Sequence, residues 1–100
     1  GDIRIGARSV VTGSVKAKGA VVLEKGAVVF GNVLGGTDVT IEEGSRVQGC
    51  VLAEGVARLH SGVQIGAPES PATVAALDIH VAPGVRVFGG LTAHQAGQTG

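Results

Sequence analysis

Three histidines (His60, His80 and His94), a single cysteine (Cys50) and the adjacent carboxylates Glu42 and Glu43 have the widest chemical scope in this 100-residue chain. A histidine held in a cleft can act as a general base, and three that converge can hold zinc. A cysteine beside a histidine can serve as a nucleophile. Two neighbouring carboxylates can divide acid and base work. A glycine-rich run such as LGGTD at 34–38 can cradle phosphate when a helix N-terminus follows it. Which of these chemistries is open depends on which side chains the fold brings together.

The elements that must do the positioning are short and repeated. LEKGAVVFGNVL at 23–34 returns as IEEGSRVQGCVL at 41–52, eighteen residues on, with aliphatics, turn glycines and the closing Val-Leu at the same offsets. Cut into sixes from Ile3, the chain places apolar or small residues at the first and third position of every hexad. The pairs begin Ile3 and Ile5, Ser9 and Val11, Val15 and Ala17, and the same register reaches Val63 and Ile65. Two inward residues with one outward residue between them make a very short strand, and the other three positions turn a corner. Most glycines fall at those corner positions, where the backbone needs conformations that a β-carbon would penalise. Three hexads make the eighteen-residue period, so the expected fold is all-β: a single-stranded triangular β-helix of about five rungs, roughly 18 residues each, over 1–93. No stretch holds a 3.6-residue period, which excludes a helical reading.

Between Pro68 and Asp78 the register breaks, and four residues more than a hexad needs predict an insertion loop at 68–78 on the third face of the fourth rung. The register resumes with Ile79 and Val81, Val85 and Val87, Leu91 and Ala93. The small polar run at 94–100 reads as a flexible tail.

The repeat sorts the chemical candidates. His60 and His94 occupy corner positions on different faces, and His80 stacks over Arg58, so no two histidines share a column and neither zinc nor another metal is expected. Cys50 takes the corner place of Ser14 and Asn32, with no histidine in its column. Glu42 and Glu43 read as a solvated corner, and no helix follows LGGTD. Neither catalytic residues nor a cofactor are expected.

Bulk composition agrees. The chain is 44% hydrophobic with only two aromatic residues, so Val, Ile, Leu and Ala must fill the interior. Eight basic and eight acidic residues leave no net field to attract nucleic acid. Along the chain the balance is uneven: five basic residues against two acidic ones in 1–30 give +3, and three against six in the remainder give −3. A single cysteine favours a reducing compartment, hence a cytoplasmic location, and no apolar run has the length of a membrane-spanning helix. The chain opens on Gly rather than Met and reads as part of a longer protein whose flank could hold a targeting segment.

VTGSVKAKG at 11–19, VFGNVLGG at 29–36 and VTIEEGSRVQGCVLAEG at 39–55 follow a run of Val-x-Gly-x-Val steps that resembles the bactofilins, bacterial polymer-forming cytoskeletal proteins. The resemblance covers roughly 3–66 and resumes over 78–93. It implies a β-helix that polymerises end to end without nucleotide into filaments or sheets. Such a scaffold for cell shape has itself as first partner, and the inner membrane or cell-wall-associated proteins as others, with membrane association carried by a flank outside this chain. The filaments of that family have like ends meeting, whereas the +3 and −3 halves favour head-to-tail stacking. The same hexads also fit a hexapeptide-repeat acyltransferase, a trimeric left-handed β-helix that would use one histidine such as His60 as base. A rigid solenoid spacer is the third reading. Periodicity does not set the handedness that separates the first two.

Assembly is favoured by the ends. No amphipathic helix is predicted at either terminus to cap the stack, so Ile3 and Ile5 at one end and Val85, Val87, Phe88 and Leu91 at the other are the candidate polymerisation residues. Val10 and Val28 share one outward column and Leu34 and Leu52 another, with Phe30 at a corner beside them; these five are the candidate lateral contacts.

Overall fold

The computed structural model describes residues 1–93, which wind into five rungs of three short strands. The first rung is β1 (Ile3–Ile5), β2 (Val10–Val11) and β3 (Val15–Ala17), and the second is β4 (Val21–Leu23), β5 (Val28–Val29) and β6 (Val33–Gly35). The third rung is β7 (Val39–Ile41), β8 (Arg46–Val47) and β9 (Val51–Ala53), and the fourth is β10 (Val56–Leu59), β11 (Gln64–Ile65) and β12 (Val74–Ala76). The fifth is β13 (Asp78–Val81), β14 (Arg86–Val87) and β15 (Leu91–Ala93). Every third strand belongs to the same sheet, giving three parallel five-stranded faces: β1-β4-β7-β10-β13, β2-β5-β8-β11-β14 and β3-β6-β9-β12-β15. This is the triangular β-solenoid that the hexads predict.

The register follows the eighteen-residue period over the first three rungs: Ile3 pairs with Val21 and Val21 with Val39. Stacking like on like puts Leu23, Ile41 and Leu59 in one inward column and Val29, Val47 and Ile65 in another, all essentially without solvent access. Aliphatic side chains of similar size suffice for this core because each needs only to meet its equivalent one rung away, at the ~4.8 Å spacing of hydrogen-bonded strands. Ser45 is the one buried polar side chain among the described residues, and its Oγ donates to the Glu24 carbonyl at 2.9 Å.

One corner column shows the conformational demand plainly. Gly26, Gly44, Gly62 and Gly84 close the turn from the first face to the second with φ of 71, 72, 75 and 84°. The first rung places Arg8 there instead, at φ 61°, the only non-glycine with positive φ among the described residues. A β-carbon in this left-handed region costs roughly 1–2 kcal/mol.

The insertion expected at 68–78 resolves into two parts. Val51 pairs with Val74, 23 residues on, whereas Ala57 pairs with Ile79, 22 residues on. Five extra residues therefore enlarge the corner before β12, and the corner after it is one residue shorter. The loop spans 66–73, fastened by reciprocal hydrogen bonds between Ala67 and Ser70, of 3.0 and 2.9 Å. The third face is not displaced: Val74 and Ala76 inside the expected window are buried and carry the sheet through. The sequence at 94–100 read as a flexible tail lies outside the described residues.

Candidate functional site

The parallel register aims backbone groups along the solenoid axis. Ile3 N–H donates to the Ala20 carbonyl one rung above, and the Ile5 carbonyl accepts from Glu24 N–H, both at 2.9 Å. Inward residues thus direct both polar groups toward the C-terminal end, and outward residues direct theirs toward the N-terminal end. On the fifth rung the corresponding groups of Ile79, Val81, Val85, Val87 and Leu91 face off the stack, with no further strand above them among the described residues. Among the described residues, therefore, the outer edges of the first and fifth rungs pair with no further strand.

Side chains at the two ends differ. On the first rung Ile3, Ile5 and Val11 are half-buried and Val15 is 5% exposed. On the fifth, Ile79, Val85, Val87 and Phe88 are half-buried, while Val81 is 46% and Leu91 50% exposed. Val81, not singled out in the sequence because it lies on β13 rather than in the last hexads, joins Val85, Val87, Phe88 and Leu91 as apolar surface at this end.

Charge at the ends departs from the head-to-tail reading. The first rung, residues 1–18, carries Arg4, Arg8, Lys16 and Lys18 against Asp2, a balance of +3. The fifth, 78–93, carries Arg86 against Asp78, a balance of zero with His80 neutral. Five of the six carboxylates that made the second half of the chain negative belong to earlier rungs: Asp38 directly precedes β7, Glu42, Glu43 and Glu54 follow strands of the third rung, and Glu69 sits in the 66–73 loop. The sequence dipole does not become a dipole between the two ends, and attraction of opposite end charges gives no reason for head-to-tail stacking.

The candidate lateral residues fall on two faces. Val10 pairs with Val28 on the second face, with Phe30 on the corner beside them. Leu34 pairs with Leu52 on the third. Val10 is 59%, Phe30 46% and Leu52 42% exposed, and Val28 and Leu34 are half-buried. Leu77, missed in the sequence because it sits at the shortened corner, is 48% exposed and joins Leu34 and Leu52 along a shallow groove of about 400 Å³.

The chemically versatile residues are spread apart. His80 lies beside Arg58 in the ladder and its Nε2 is 3.1 Å from Asp78 Oδ2. His60 lies on the first corner, where it lines a 180 Å³ depression with Lys25, Glu42 and Glu43. Cys50 is half-buried, and its backbone N–H donates to Asn32 Oδ1 at 2.8 Å, just as Asn32 N–H donates to Ser14 Oγ at 2.9 Å. That side-chain ladder satisfies corner N–H groups, and Asp2 and Asp38 do the same for Ala20 and Val56 N–H at 2.8 Å each. Among the described residues no group of three His, Cys, Asp or Glu is placed to hold a metal ion. His94 lies outside the described residues.

No protein-family model, curated protein or solved structure matches this chain. The reading of its function therefore rests on the geometry of the ends and faces. Among the described residues no helix is long and apolar enough to cross a membrane.

Proposed function

We propose that this chain is a bactofilin-like scaffold that assembles without nucleotide by end-to-end stacking of its β-solenoid. One observation carries the reading: among the described residues the outer edges of the terminal rungs pair with no further strand, and apolar inward residues are exposed there, foremost Val81 and Leu91 at 46% and 50%. A second copy that continues the ladder satisfies the edge groups and covers these side chains in one step. Two fifth rungs meeting as like ends bring no net charge together. Two first rungs bring +3 against +3, so that contact is the weaker of the two.

Electron microscopy of the negatively stained purified protein tests this directly. Filaments or ribbons whose long axis is the solenoid axis are the expected result. A protein that sediments as a monomer at about 1 mM, or a discrete trimer that binds acyl-CoA, refutes it. The second outcome would instead assign the His60 depression to an acyltransferase.

A further inference from the structure

We propose that the outer groove of the second face binds an extended peptide C-terminus whose last side chain is apolar. The groove encloses about 290 Å³ between the outward residues Val10, Val28, Arg46 and Gln64 and the corner residues Phe30 and Gln48. At its N-terminal end the floor is apolar, with Val10 59% and Phe30 46% exposed. The exposed Arg46 stands on the next rung after Val28, with Gln48 at the corner of the same rung and Gln64 on the rung beyond.

Charge selects the occupant. On the first face each arginine meets a carboxylate: Arg4 is 2.9 Å from Glu24 and Arg58 is 3.6 Å from Asp38. The outward column of the second face carries Arg46 and Arg86 and no carboxylate, and neither has an ion-pair partner within 4.0 Å among the described residues. A guanidinium left open beside an apolar floor is complementary to a carboxylate that carries an apolar group. The carboxamides narrow the class. Gln64 Nε2 makes only a long bond to the Gly66 carbonyl, 3.4 Å, which leaves its Oε1 for a peptide N–H and the Gln48 amide for a peptide carbonyl. A fatty acid offers no such partners. The groove is on a lateral face, so it stays open whether or not copies stack end to end.

The test is fluorescence anisotropy with fluorescein-Gly-Ser-Gly-Leu carrying a free C-terminus, and with the same peptide as its C-terminal amide. Saturable binding of the free acid below about 1 mM is expected, with the amide at least about tenfold weaker. Arg46→Gln and Val28→Lys should each weaken binding of the acid about tenfold. Arg86→Gln should leave it unchanged, because Arg86 lies outside the groove. All three side chains point outward, so thermal unfolding of the variants checks that the fold is kept. No binding, equal binding of acid and amide, or indifference to Arg46→Gln overturns the proposal. So does co-sedimentation with phosphatidylglycerol vesicles that Arg86→Gln weakens as much as Arg46→Gln does, with no peptide bound, which would give the face to a bilayer.

Discussion

The first and fifth rungs are built from the same hexad, yet they make different ends. The first sets four basic side chains around half-buried aliphatics. The fifth is balanced in charge and leaves Val81 and Leu91 about half exposed. A repeat unit dictates where inward residues go and leaves the outward and corner positions free. The ends of a solenoid can therefore be given separate strengths without altering its core.

The largest effect should come from the fifth rung. Val87→Arg or Phe88→Arg puts a charge where a stacked copy would bury it, a desolvation cost that no partner offsets. Both variants should lose polymers, leaving monomers and at most weak dimers joined through first rungs, while circular dichroism stays that of the parent. Polymers of unchanged length would remove the C-terminal rung from the assembly contact. Ile5→Arg at the first rung should also end growth, but should leave dimers joined through their fifth rungs, the stronger contact.

Salt sharpens the same contrast. If first rungs meet as like ends, raising ionic strength from 0.01 to 0.15 M shortens the screening length from about 30 to about 8 Å and should lengthen polymers several-fold. Light scattering across that range would read the change. Polymers indifferent to salt would mean that first rungs do not meet one another.

How much of this was legible in the sequence depends on which residues were asked. The inward positions were: Ile3, Val21, Val39 and Ala57 recur at one spacing, and like stacks on like in the structure. The fourth rung was only partly so. Five extra residues before Val74 throw its alternation out of the hexad frame, so a buried strand was hidden inside the stretch expected as a loop. The end charges were misread for a geometric reason. A sum over 31–100 counts Glu42, Glu43 and Glu54 with the C-terminal end, whereas a solenoid sets height by rung and puts them midway. The open arginines of the second face were not visible at all, because pairing of Arg4 and Arg58 depends on side-chain reach between rungs, not on spacing along the chain.

The smallest effect belongs to Arg8, and it tests whether the first rung gives up stability for its charge. Four equivalent corners use glycine at φ 71–84°, and Arg8 alone holds φ 61° with a β-carbon. Arg8→Gly relieves a left-handed cost of roughly 1–2 kcal/mol, offset by about 0.5–1 kcal/mol of added chain entropy in the unfolded state. A net gain of about 0.5–1 kcal/mol should appear as a melting midpoint a few degrees higher. The same change removes one of the four basic residues of that rung, so polymers at low salt should lengthen slightly. A midpoint that falls instead would show that the arginine side chain makes a contact worth more than the strain, and that its place at the corner is structural rather than electrostatic.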